Sequence, residues 1–366
     1  MNGSLRERFA QYWSGVVQGR LFPVVREEIG PLHESHQRVM TTLEVVRIEE
    51  EVPSYRGFVG RPQKDRGTLA RAFVAKAALD LPTTRQLLDR LSTDRVLRQI
   101  VGWERVDEIP DESTFSRAFA EFAQNGLGER AHAAVIEETQ GERLIGHISR
   151  DATEIEAREA PVKVEKPAPT PKPRGRPKKG EVRERELTRL ERQQGMTLEA
   201  MLDDLPKHCS VGCKTNSKGF KESWVGYKLH WDVADGGVPI SCILTSAHVH
   251  DSQVALPLAE MTDQRVTHLY DLMDAAYDAP IIRAQSAEHG HVALIDHNLR
   301  GGEKIEFAPH EAERFKERTT VERAHARLKD EFGGRFIRVR GHAKVMAHLM
   351  FGILALTADQ LLRFID

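Results

Sequence analysis

The sequence predicts an α/β fold in which a mixed sheet is flanked by helices and preceded by an all-α region. Two observations predict it. Apolar residues keep a helical period from about His36 to Thr139 and change to strand alternation from residue 144. The segments after that change follow the order β, β-hairpin, α, β, α, β, α, which is the order of a mixed sheet with helices on its faces. A length of 366 residues with 40% hydrophobic content suffices for two domains, one of them with a full core.

In the front half, LARAFVAKAALD, TTRQLLDRL, STDRVLRQIVG and DESTFSRAFAEFA each read as a short helix. Thr83 and Thr84 are cap candidates for the second, Gly102 ends the third, and Pro110 precedes the fourth. Short helices with tight turns build helix-turn-helix modules and ordinary helical packing alike, so residues 1–140 are expected to form a helical domain, a candidate for DNA binding or dimerisation. Residues 141–366 should hold the sheet. LIGHISRDATEI reads as a strand ending near Asp151, and WVGYKLHWDV and VPISCILTS flank ADGG, whose glycines supply the positive φ of a hairpin turn. DSQVALPLAEM reads as a helix capped by Asp251, VTHLYDLMD as a strand ending at Asp274, APIIRAQSAEHG as a helix stopped by Gly290, and HVALIDH as a further strand. One long helix is expected from near Glu311. A basic, proline-rich and helical insertion interrupts this half at about residues 158–222.

A net charge of −2 and a pI of about 6.8 exclude a uniformly basic nucleic-acid binder, but not local basic clusters. Three cysteines, Cys209, Cys213 and Cys242, do not make a disulfide scaffold and suit a reducing cytoplasm. Cys209 and Cys213, with His208 nearby, lack a matching second pair for a closed zinc site. The first twenty residues carry arginines where a signal peptide would have its apolar core, so no export is expected. The longest apolar run, Val345 to Ala358, is too short for a membrane span and reads as a core helix.

Two acids stand out by position. Asp151 and Asp274 fall at strand ends, where catalytic groups gather in such sheets, and Glu322 would lie on the helix beside them. Three carboxylates meeting at a sheet edge repel one another unless a cation is present, and hard oxygen ligands select Mg²⁺ or Mn²⁺. Each acid alone reads more readily as a solvated turn residue or a helix cap. On a helix, Arg318, Glu322, His325 and Lys329 would share one face. That stripe suits a surface holding a metal and a phosphate backbone together; an exposed helix with an Arg318–Glu322 pair accounts for it too, and charge pattern leaves both open.

Phe315, Arg318, Glu322 and Lys329 have the spacing of a Tyr-x2-Arg-x3-Glu-x6-Lys signature, with phenylalanine in place of the tyrosine. With RDAT around Asp151 and DAAY from Asp274, they make the chain resemble bacterial insertion-sequence transposases of the DDE type, whose catalytic core is ribonuclease H-like. SWVGYKLH and AHVHDSQVALPL resemble that family's second and third strands and the helix after them, and the likeness covers about residues 66 to 366. The resemblance implies a catalytic trio of Asp151, Asp274 and Glu322 that holds two Mg²⁺ or Mn²⁺ ions, with Asp151 bridging both. It implies hydrolytic release of a 3′-OH at a transposon end and attack of that hydroxyl on target DNA. It also implies double-stranded DNA as partner, through terminal inverted repeats and target, and a homodimer on DNA. Arg318 and Lys329 would grip phosphates, while His325 stays outside the catalytic set as a structural or solvated residue.

Residues 161–180 carry seven Lys or Arg against one Glu and are rich in proline, so they should be extended. Within them PRGRPKK resembles an AT-hook, with Arg174 and Arg176 flanking Gly175; a basic linker that touches phosphate is the plainer reading. EVRERELTRLERQQ reads as a charged helix. Between Arg314 and Lys344 ten Lys or Arg stand against four acids, Arg338 and Arg340 among them, and that excess is a candidate DNA track. Two other function classes fit the same residues: a metal-dependent nuclease of the same fold without strand transfer, and a non-catalytic DNA-binding protein derived from a transposase. The expected location is the bacterial cytoplasm, on the nucleoid.

Overall fold

A computed structural model describes residues 32–53, 63–163, 185–215, 218–299 and 303–364. The front half is helical, with α1 (Glu34–Val46), α2 (Arg66–Ala78), α3 (Thr84–Thr93), α4 (Arg95–Val101), α5 (Glu112–Gln124) and α6 (Leu127–Gln140). Short polar side chains start these helices as expected. Thr83 accepts from the Gln86 amide at 3.1 Å, Asp94 from Leu97 at 3.0 Å and Asp111 from Thr114 at 2.8 Å, each satisfying a first-turn N–H that has no intrahelical partner.

The sheet comprises β1 (Leu144–Glu156), β2 (Ser210–Thr215), β3 (Lys221–Ala234), β4 (Pro239–Ser246), β5 (Thr267–Met273) and β6 (Val292–Ile295). β1 is central. It pairs antiparallel with β3 on one side and parallel with β5 on the other, and β5 pairs parallel with β6. β2 and β4 share the far edge of β3, β2 along Lys221–Gly226 and β4 from Tyr227 to Val233. The tight connection between β3 and β4 is a turn at Asp235–Gly237, where Gly236 and Gly237 take φ of 77° and 81°. This is the mixed, ribonuclease H-like sheet the sequence predicts.

Helices cover both faces: α7 (Arg189–Gln193), α8 (Leu198–Asp204), α9 (Ala255–Asp263), α10 (Pro280–Glu288), α11 (Pro309–Phe315), α12 (Thr319–Glu331) and α13 (His342–Arg363). By length and composition α13 could cross a membrane, yet most of it is buried inside the fold. The helical front wraps it. Phe73 of α2 stacks on Phe351 of α13 at 5.5 Å, and Phe119 of α5 meets the same ring at 6.1 Å. One apolar core therefore runs from α1 through α13 into β3 and β4.

Five expectations change. The insertion expected to be helical supplies a strand, β2, because Ser210–Thr215 pairs antiparallel with β3. β1 does not end near Asp151; antiparallel pairing with β3 carries it to Glu156, and only the β5 pairing stops at Arg150. The helix expected from Glu311 is broken into α11, a 3₁₀ turn at Lys316–Arg318, and α12. EVRERELTRLERQQ is helical only over Arg189–Gln193 among its described residues, because Thr188 adopts extended backbone and caps Glu191, while Glu191 bonds back to the Thr188 amide at 2.8 Å. The helix after β4 begins with a 3₁₀ turn whose cap is His250, not Asp251.

Candidate active site

Alternation along β1 sends neighbouring side chains to opposite faces, and the two residues at its centre illustrate the result. Arg150 is buried and grips Asp232 of β3 through two bonds of 2.8 and 2.7 Å, and Thr262 of α9 donates to the same carboxylate at 2.7 Å. Asp151 turns the other way, toward the segment carrying Arg318. On that side Trp231 of β3 stacks on His325 of α12, centroids 5.2 Å apart and planes within 4°, and fixes the helix against the sheet. Burial pushes His325 down to about 3, so the ring is neutral, as suits a packing residue.

Arg150 and Met273 form the last β1–β5 pair, so Asp151 and Asp274 stand next on adjacent strands, about 5 Å apart in backbone. Asp274 opens the turn after β5 and accepts from the Ala276 amide at 2.9 Å. The 3₁₀ turn before α12 is pinned to β1 by Ser149, whose hydroxyl donates to the Glu317 carbonyl at 3.2 Å. Arg318 is thereby held between two acids: its Nη1 lies 3.5 Å from Asp151 Oδ2 and its Nη2 3.3 Å from Glu322 Oε1. Arg318 thus links Asp151 to Glu322, and Asp274 stands beside Asp151 at the end of the β1–β5 pairing.

Their environments differ. Burial pushes Asp151 up to about 7; Arg318 opposes this, and Asp274 and Asp251 add to it. Asp274 is raised by burial and by Asp251, against the Ala276 amide and Arg318. Glu322 is exposed at the mouth. An all-oxygen donor set whose buried members resist ionisation in each other's presence, balanced by one arginine, fits a hard divalent cation.

The family comparison agrees with the geometry. Residues 147–358 match the model of the Transposase DDE domain, a span from four residues before Asp151 into α13. The chain belongs to the DDE transposase family. A second model, described as a transposase domain, matches residues 25–121 of the helical front. No curated protein and no solved structure matches the transposase significantly. As a DDE transposase of an insertion sequence it acts on DNA and uses divalent metal ions to cleave and move it.

The basic residues singled out by sequence divide into four groups. Arg318 engages the acids. Lys329 reaches Glu154 of β1 at 2.8 Å, sharing that carboxylate with Lys214 at 3.0 Å. Arg338 and Arg340 are exposed on the segment between α12 and α13, Arg340 donating to the Arg158 carbonyl at 2.9 Å. Arg174 and Arg176 lie outside the described residues. In the signature, Phe315 packs its ring on Phe307 at 4.7 Å. Cys209 and Cys242 are buried and Cys213 is exposed.

Sequence reasoning missed two residues of this region. Ser149 positions the Arg318 turn, and a lone serine in a strand carries no signal of that. Asp251 follows β4, accepts from Lys228 at 3.0 Å and adds charge beside Asp151 and Asp274. Read along the chain it is a helix cap; only the pairing of β3 with β1 brings its turn to the acids.

Proposed function

We propose that the transposase binds the terminal inverted repeats of its element, hydrolyses the phosphodiester at their ends, and joins the freed 3′-OH to target DNA with two Mg²⁺ or Mn²⁺ ions at Asp151, Asp274 and Glu322. The observation that supports this best is the placement of Arg318 between Asp151 and Glu322, with Asp274 on the adjacent strand end. When bound, the ions would make the attacking oxygen more acidic and neutralise the leaving oxygen. Asp151, central and largely buried, is the residue suited to contact both ions, with Asp274 completing one set of ligands and Glu322 the other. Asp274 is held in place by the Ala276 amide, whereas Glu322, exposed and tied to Arg318, is free to swing inward.

Arg318 has a second part in this reading. With cations at the acids, its guanidinium would be available to bind the scissile phosphate in a fork. Arg338 and Arg340 extend the phosphate contacts beyond Arg318, Lys329 would join them where a phosphate displaces Glu154, and Arg174 and Arg176 would add to binding that weakens with salt. Two DNA ends must be held together for coupled joining, so the working species is a homodimer on DNA, in the cytoplasm where the nucleoid lies. The chain fits the subgroup with the Tyr-x2-Arg-x3-Glu-x6-Lys signature, phenylalanine replacing its tyrosine.

The test uses the purified protein with pre-cleaved end DNA, a supercoiled plasmid and Mg²⁺. Joined products in the wild type and none in Asp151→Ala support the reading. Cleavage of uncut ends without any joined product identifies a nuclease, and activity unchanged in Asp151→Ala removes the trio from catalysis.

A further inference from the structure

We infer that Asp263, His268 and His291 form a second metal site, for a borderline-soft divalent cation with Zn²⁺ foremost, that staples α9, β5 and β6 together at the end of the sheet opposite the catalytic acids. Asp263 closes α9, His268 lies at the start of β5 and His291 immediately precedes β6. One donor atom from each lies within 4.8 Å of the others. Five residues of β5 lie between His268 and Asp274, about 20 Å of extended chain, so the group stands apart from the catalytic centre.

The hydrogen-bond pattern points to a ligand. His268 is buried, and its Nε2 faces Asp271 Oδ1 at 3.2 Å. That carboxylate only accepts, so the hydrogen bond takes its proton from Nε2. The other ring nitrogen, Nδ1, faces a second acceptor, Asp263 Oδ1, at 3.7 Å and has no hydrogen-bond partner. A buried nitrogen aimed at a carboxylate oxygen without a hydrogen bond between them is a costly arrangement that a cation satisfies. A histidine whose second nitrogen donates to a carboxylate is also the usual form of a metal-bound imidazole.

His291 supplies the third donor through Nε2, 2.8 Å from the same Asp263 oxygen, and its Nδ1 is likewise buried without a partner. Its ring stacks on His268 with centroids 3.6 Å apart, so the two rings must splay as a cation enters. Gly290, at φ 84°, turns the chain so that His289 also reaches Asp263, on its other oxygen. Two imidazoles and one carboxylate select Zn²⁺ over Mg²⁺, the reverse of the all-oxygen trio.

The full-length protein, stripped with EDTA, is titrated with Co²⁺ and followed by visible absorption, then loaded with Zn²⁺ and its bound metal measured. Intense bands of tetrahedral Co²⁺ and one tightly bound Zn²⁺ per chain are expected in the wild type and in Asp274→Asn, and neither in His291→Ala nor His268→Gln. Wild type without those bands or that zinc overturns the site directly, whatever the folding of the variants. So does zinc retained by both histidine variants. Loss of the bands in Asp274→Asn assigns the metal to the catalytic trio instead, so this inference fails independently of the transposase reading.

Discussion

Lys329 Nζ lies 2.8 Å from Glu154 Oε1, joining the last basic residue of the Arg-Glu-Lys spacing to the strand that carries Asp151. Burial alone would raise the Glu154 carboxyl, but Lys329 above all, with Lys214, holds it at about 2. Because the folded value lies below the unfolded one, the pair contributes stability above about pH 4.5 that is lost as pH falls toward 2. Glu154→Gln should cost about 1 kcal/mol at neutral pH, since the pair is partly solvated. It should also free Lys329 for phosphate, tightening non-specific DNA binding and steepening its salt dependence in a fluorescence titration.

Arg150 anchors β1 from the face opposite Asp151 through its paired bonds to Asp232. Arg150→Ala leaves Asp232 buried with only the Thr262 hydroxyl against its charge, and should cost about 3–5 kcal/mol in chemical denaturation. Arg150→Ala with Asp232→Leu should recover much of that loss. A double variant no better than the single would show that the charges are not the cause.

Asp151 stores destabilising charge. Burial lifts it to about 7, so between its unfolded value of 3.8 and 7 the folded state binds the extra proton, and stability falls as pH rises through that window. In EDTA at pH 8, Asp151→Asn should therefore melt higher than the wild type. Added Mg²⁺ should raise the wild-type melting temperature and leave the variant's nearly unchanged. Strand joining by the variant should drop by more than about 100-fold.

His348 of α13 donates through Nε2 to the Gly333 carbonyl at 2.9 Å, and burial, with Lys76 adding to it, pushes the ring down to about 4. Only the unfolded chain takes up this proton between about pH 6.5 and 4, so stability is complete above that window and declines as pH falls through it. His348→Gln keeps an amide donor in reach of the carbonyl. It should remove on the order of 2–3 kcal/mol of acid sensitivity across the window, read as a flatter plot of melting temperature against pH.

The sequence by itself determined most of the elements and their order, though not β2. Alternation along LIGHISRDATEI, the glycine turn after WVGYKLHWDV and the caps at Thr83 and Gly102 are local signals, set by backbone sterics and the nearest few side chains. It also marked the three acids, through their positions and the spacing around Glu322. Tertiary structure alone decided what surrounds them. The stripe of Arg318, Glu322, His325 and Lys329 reads as one exposed helix face, yet a 3₁₀ turn pinned by Ser149 breaks the helix, His325 stacks on Trp231, and Lys329 pairs with Glu154. Asp251 joins the acids, and Asp263 meets His268 and His291, only because strand pairing brings distant turns together. Periodicity records which side of an element faces the core, whereas desolvation and charge pairing depend on neighbours as far away as Glu154 is from Lys329, 175 residues along the chain, which no local pattern encodes.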